Sequence, residues 1–155
     1  PYRVDAFSSG EAGPCGWVEQ GQVRWARRPS TQASSTHTAL LNDLPAAQGW
    51  PWVEVVLSAA GSSGRAVDAL VDAQVKGLVV ASTGNGSLHH ALKDALLRAS
   101  ERGVRVVKAT RCGQGQSLVG DLGDFPSYAG LSPIKARVAL LLDLLAERAM
   151  QISGV

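Results

Sequence analysis

Apolar residues change their spacing along this chain, and the spacing sorts it into elements. Gly77-Leu-Val-Val-Ala is a continuous apolar run that opens into Ser-Thr-Gly-Asn-Gly-Ser87, after which apolar residues return at helical spacing. A short continuous run bounded by glycine predicts a strand buried on both faces, of the kind parallel sheets produce. The β-branched density of Trp52-Val-Glu-Val-Val-Leu-Ser58 predicts a strand before it, and Val104-Arg-Val-Val-Lys-Ala-Thr110 one after it. Between the first two, Val67, Leu70 and Val71 mark a short amphipathic helix over 65–74. Leu88, Leu92, Ala95, Leu96 and Ala99 share one face of a helix over 88–102, with Ser87 as its expected N-cap and Gly103 as its left-handed stop. A last helix is expected over 134–150, capped by Ser132 and opened by Pro133, with Val138, Leu141, Leu142, Leu145 and Ala149 as its apolar face. Its leucines read as core and not as a zipper, because the heptads are not sustained.

Strands that alternate with helices imply βαβ units and a parallel sheet with helices packed on its faces. The expected fold class is therefore α/β: a small three-layer domain with a parallel sheet, βαβαβ followed by a C-terminal helix. A β-hairpin lead-in arm precedes it, because Val, Trp and charged residues alternate around Gly21 in Gly16-Trp-Val-Glu-Gln-Gly-Gln-Val-Arg-Trp25. The boundary is drawn as an arm over 1–45 and a compact domain over 46–155. A glycine-rich segment follows Arg111 and runs to Gly130, and loops of that length are usually functional or mobile.

The totals narrow the function classes. The chain has 155 residues and a net charge of +2, with basic residues scattered except for Arg24, Arg27 and Arg28, so it shows no broad footprint for nucleic acid. No apolar run approaches the roughly 20 residues of a membrane span. Cys15 and Cys112 do not form a metal knuckle or a redox motif, and pair only if the fold brings their Cα atoms within about 7 Å. His89 and His90, adjacent on an expected helix, should point about 100° apart and not share a metal. No cofactor is implied. The start Pro-Tyr-Arg-Val-Asp lacks Met, which suggests a processed chain or a piece of a longer one, and the compartment, cytoplasmic or periplasmic, stays open.

Ligand crevices of open α/β sheets lie at the carboxyl ends of the strands, where Thr83-Gly-Asn-Gly-Ser87 falls. Its glycines permit close approach, and backbone amides and Asn85 could hold a small polar ligand; an ordinary strand-to-helix turn is the competing reading. The P-loop lysine and the GxGxxG spacing are missing, which disfavours nucleotides. Ser82, Thr83 and Thr110 stand at strand ends without an identifiable base, and caps or backbone bonds explain them as well. Asp121 and Asp124 could present carboxylates to a ligand or be solvated turn residues, and Arg111 could hold an anion or an ion pair. No acid, base and nucleophile set assembles, so the residues alone favour a binding or oligomerising module. The class-level alternative is a free-standing doubly wound ligand-binding or interaction domain without catalysis.

Three stretches carry a resemblance: Gly77-Leu-Val-Val-Ala-Ser-Thr-Gly-Asn-Gly-Ser87, Gly103-Val-Arg-Val-Val-Lys-Ala-Thr-Arg-Cys-Gly-Gln-Gly115, and Gly130-Leu-Ser-Pro-Ile-Lys-Ala-Arg-Val-Ala-Leu-Leu142. In this order they resemble the C-terminal domain of the bacterial-type L-asparaginases, and the lead-in is similar to the stretch that closes the family's N-terminal domain. The resemblance implies an amidohydrolase that converts L-asparagine to L-aspartate and ammonia through a threonine nucleophile. Those threonine motifs, TGGT and TDT, have no counterpart here, so this chain alone is expected to be inactive. Its implied partners are its own N-terminal domain and a second subunit, as a homodimer or homotetramer, with an amino-acid amide as substrate and neither nucleic acid nor membrane. Its implied work is oligomerisation and completion of a neighbouring subunit's site. Asn85, Ser87, Asp121 and Asp124 are the implied substrate-side residues. The family pattern Gly-Asn-Gly-Asn ends here in Ser87, whose hydroxyl cannot reproduce an amide's paired donor and acceptor.

Overall fold

In the computed structural model the described residues are 9, 13–28, 49–84, 86–113, 125–128 and 130–153. The chain divides into two compact units, Pro1–Ala33 and Ser34–Val155. The first contains a hairpin of β1 (Gly16–Glu19) and β2 (Gln22–Trp25), paired antiparallel. Gln20 and Gly21 both take positive φ, 50° and 77°, the conformation a tight two-residue hairpin turn needs. Arg24 lies over the Trp17 ring at 4.9 Å and bridges to Glu19, so the exposed hairpin face is partly covered by its own side chains.

The second unit holds β3 (Val53–Leu57), α1 (Arg65–Asp72), β4 (Gly77–Ser82), α2 (His90–Glu101), β5 (Arg105–Thr110) and α3 (Pro133–Ser153). The three strands form a parallel sheet in the order β3-β4-β5, with Val55 beside Val79 and Val79 beside Val107. This is the expected three-layer α/β domain with a hairpin before it. Because the strands follow one another without a change of direction across the sheet, α1 and α2 pack together on one face, and among the described helices α3 covers the other.

Strand β4 is buried along its whole length, which is why it reads as one apolar run: Leu78, Val79, Val80 and Ser82 are all at 0% exposure. Its residues alternate between two cores. Leu78 and Val80 face Val67, Val71, Leu92, Ala95 and Leu96, while Val79 faces Ala136 and Leu140. Each such fully buried aliphatic side chain contributes roughly 1.5–3 kcal/mol relative to exposure. Gly77 lets α3 approach, since a β-carbon there would meet Leu140 Cδ2 at 2.8 Å.

Several local expectations are corrected by the packing. The second helix begins at His90 and not at Leu88, so Ser87 is not its cap. The His89 amide instead donates to Ser58 Oγ at 3.0 Å, a buried serine at the end of β3. Gly103, at φ 83°, does end the helix as expected. Ser132 caps α3, accepting from the Lys135 amide at 3.4 Å. Of the face expected for α3, Leu145 is buried and Leu141 packs on the sheet-side core beside Ala136, Leu140 and Leu144, while Val138 and Ala149 are exposed. Apolar residues lie on more than one side of this helix, so spacing alone did not single out the buried one.

After the segment that follows Gly113, the chain returns beside β5. Lys108 donates its amide to the Pro126 carbonyl at 2.8 Å, and Tyr128 donates to the Lys108 carbonyl at 3.3 Å. Phe125, 5% exposed, enters the α1–α2 core there, and Tyr128 packs on the α3 side.

Candidate functional site

The carboxyl end of β4 runs into a closed turn over residues 83–87. Gly86 and Ser87 both donate their amides to the Thr83 carbonyl at 3.0 Å, and Thr83 donates to the Ser87 carbonyl at 3.3 Å through its amide and at 3.4 Å through its hydroxyl. Gly84 and Gly86 take φ of 50° and 100°, so the turn closes through positions where glycine avoids strain. The amides of Gly86 and Ser87 are therefore consumed inside the turn. The start of α2 lies further on, with the His89 amide already held by Ser58, and an anion cradle of loop amides and helix terminus does not form from these groups.

The turn instead projects side chains. Ser87 is exposed. Asn85, Asp121 and Asp124, the other substrate-side candidates, lie outside the described residues, so the structure bears on the placement of Ser87 alone. The strand-end hydroxyls have structural work: Ser82 Oγ donates to the Ala109 carbonyl at 3.2 Å, and Thr110 Oγ1 accepts from the Cys112 amide at 3.2 Å. Arg111 is exposed and holds the next turn through its amide on the Ser82 carbonyl.

Two features escaped the sequence reading. Lys108, at an inward position of β5, is 8% exposed and lies beneath Gly86; a lysine inside a strand buried on both faces was the available signal. Cys112, exposed and free, sits beside the same turn; hydrogen bonding from Thr110, and then from the Gly84 backbone, lowers its thiol pKa. Cys15 is also free.

The two histidines depart from expectation, because His89 precedes the helix and the 100° helical offset does not apply. Their rings lie tilted by 30° with centroids 4.3 Å apart, and among the described residues none bonds to the buried His89 Nδ1. Among the described residues no group of three or more His, Cys, Asp and Glu is placed to hold a metal. No described helix is long and apolar enough to cross a membrane.

Comparison with known proteins places this geometry in a family. Residues 52–151 match the Glutaminase/Asparaginase C-terminal domain. The chain is 33% identical over 149 residues to L-asparaginase 2 of Escherichia coli, covering 91% of this chain and 41% of that protein. It is 28% identical over 148 residues to a glutaminase-asparaginase of Pseudomonas fluorescens, covering 92% and 40%. The crystal structure of a probable cytoplasmic L-asparaginase from Campylobacter jejuni superposes with a TM-score of 0.74 at 32% identity, over 92% of this chain and 47% of that one. The chain thus spans about two-fifths of these curated relatives' length. With that match over residues 52–151 and the superposition at a TM-score of 0.74, the chain belongs to the glutaminase/asparaginase family as a C-terminal domain.

Proposed function

We propose that this chain works as the C-terminal part of an L-asparaginase-like amidohydrolase. In that role its 83–87 turn completes the active site of a neighbouring subunit, and its surface takes part in oligomerisation. The observation that carries the reading is the family match over residues 52–151, which includes the turn and α3 but no threonine-nucleophile motif. The exposed Ser87 supports it, because an exposed side chain can meet another chain. Exposed Ile134 and Val138 on α3 support the oligomerising role, since they leave apolar surface that the sheet does not cover.

The chemistry follows from the amide substrate. A threonine hydroxyl attacks the side-chain carbonyl, ammonia leaves, and water hydrolyses the acyl-enzyme to aspartate. Oxyanion and proton-transfer groups belong with that nucleophile, outside this chain. This chain supplies the wall that orients substrate, with Ser87 in place of the family's second asparagine, and with Asn85, Asp121 and Asp124 as further candidate contacts.

The test is ammonia release from L-asparagine and L-glutamine by the full-length gene product that carries this chain, beside the chain alone. Turnover is expected for the first and none for the second. A full-length product inactive on both amides sinks the asparaginase reading, and turnover by the isolated chain sinks the role assigned to this domain.

A further inference from the structure

The register of the β1–β2 hairpin sorts its side chains onto two unlike faces. Residues directly opposite each other in an antiparallel pair share a face, and the faces alternate along each strand. Trp17 with Arg24 and Glu19 with Gln22 therefore lie on one face, and Val18 with Val23 and Gly16 with Trp25 on the other. The first face is polar and covers itself, with Arg24 over the Trp17 ring and bridged to Glu19 at 3.2 Å. The second carries no charge. Val18, Val23 and Trp25 on it are 74%, 54% and 52% exposed, and Gly16 offers Trp25 no side chain across the strand. A hairpin of two strands is marginally stable by itself in water, and an apolar face is what lets it pack on a larger body.

We propose that the face of Val18, Val23 and Trp25 packs on the nucleophile-bearing part of the same gene product, while Trp17, Arg24 and Glu19 stay in water. The proposal rests on the reading of this chain as the C-terminal part of an amidohydrolase, and it names which side of the hairpin meets the rest of the enzyme. The position of the hairpin selects this occupant. It lies ahead of residues 52–151, outside the matched C-terminal domain, and in a compact unit separate from the one that holds the parallel sheet. About three-fifths of the Escherichia coli relative lies outside its match with this chain, enough for a body that buries these side chains. A second copy fits less well. Three half-exposed side chains fall far short of the roughly 800 Å² per partner that a stable interface between separate molecules needs. A contact within one polypeptide needs no such area, because the covalent link already holds the two parts at high effective concentration.

The experiment compares Trp17→Phe and Trp25→Phe in the full-length gene product by tryptophan emission and its quenching with acrylamide. In this chain by itself Trp17 and Trp25 are 43% and 52% exposed, so a marked difference between them in the full-length product reports the contact. Trp25→Phe should remove a blue-shifted, poorly quenched component, and Trp17→Phe a red-shifted, readily quenched one. Val18→Lys, which sets a charge in the contact, should lower the unfolding midpoint by about 4 °C or more, and Trp17→Lys by clearly less. A Trp25 quenched as readily as Trp17 overturns the proposal. So does a Trp25 component that turns red on dilution, because a second copy would then cover the face. If Val18→Lys does not accumulate, the two Phe variants decide the matter by themselves. Ammonia release is scored separately: a product inactive on both amides sinks the asparaginase reading, whereas the quenching comparison decides the contact whether or not the product turns over.

Discussion

Gly64 sits against Ala95 so closely that a β-carbon on Gly64 would lie 2.5 Å from that of Ala95, with the Ala91 carbonyl at 3.2 Å. This contact sets how near α1 comes to α2, and the ion pairs Arg98–Asp68 and Arg102–Asp72, both 3.1 Å, lie across the exposed side of the same helix pair. The pairs are solvent-exposed and contribute little. The close approach of small residues is what holds the spacing.

Gly64→Ala should therefore destabilise the domain although its backbone, at φ −78° and ψ −6°, accepts alanine. Overpacking of this kind costs about 1–3 kcal/mol. The companion change Ala95→Gly should recover part of the loss, less the roughly 1 kcal/mol that glycine costs inside a helix. Denaturant unfolding of the two single variants and the double variant checks it: equal, additive losses would mean the helices do not touch at this point.

Gly84 and Gly86 should respond differently to alanine. At Gly84, φ is 50° and the space is open, so the cost is that of a left-handed alanine, about 1–2 kcal/mol. At Gly86, φ is 100° and the new methyl meets the Lys108 side chain at 3.2 Å, so strain and crowding add. Gly86→Ala should lower the unfolding midpoint further than Gly84→Ala, and Lys108→Ala should relieve the crowding but not the strain.

Tyr128 donates its hydroxyl hydrogen to Asp143 of α3. Burial first, and then the Asp143 hydrogen bond, raise its pKa well above the usual 10.0. The unfolded chain releases this proton near pH 10, while the folded chain keeps it. Stability from this group is thus fully present below that pH and falls as pH rises toward the folded value. Tyr128→Phe should cost about 1 kcal/mol at neutral pH and flatten the alkaline fall of the unfolding midpoint. A variant with the same alkaline profile as wild type would remove Tyr128 from the cause.

Ser87→Asn restores the family's second asparagine on the exposed side of the turn. Since the turn is closed by Ser87 backbone atoms and not by its hydroxyl, stability should change by no more than about 0.5 kcal/mol. If the turn lines a neighbouring subunit's site as proposed, the KM for L-asparagine of the full-length gene product should fall about fivefold, the value of one added hydrogen bond. An unchanged KM with unchanged stability would mean that residue 87 does not face substrate.

Much of this was legible in sequence because it is local. The strand Gly77–Ser82 lies between helices on both faces, so it had to be apolar at every position, and the run showed it. The hairpin was visible because Gly21 supplies a positive φ between alternating residues, and Pro133 and Gly103 marked where helices start and stop. The position of the 83–87 turn followed from the same strand, since a turn must come where the apolar run ends.

What sequence could not decide depends on groups far apart along the chain. The second helix starts at His90 because an oxygen from Ser58, 31 positions away, takes the His89 amide, and no nearby residue announces that bond. The third helix carries apolar residues on several sides, and the choice of Ala136 and Leu140 as its buried stripe was made by the space that Gly77 leaves on the sheet. Lys108 looks like an ordinary charged residue of a strand until β4, β5 and the 83–87 turn close over it. Sequence by itself determined the elements and where the turn lies, because both follow from neighbours in the chain; tertiary structure decided which faces are buried and which charge lies under the turn, because both follow from neighbours in space.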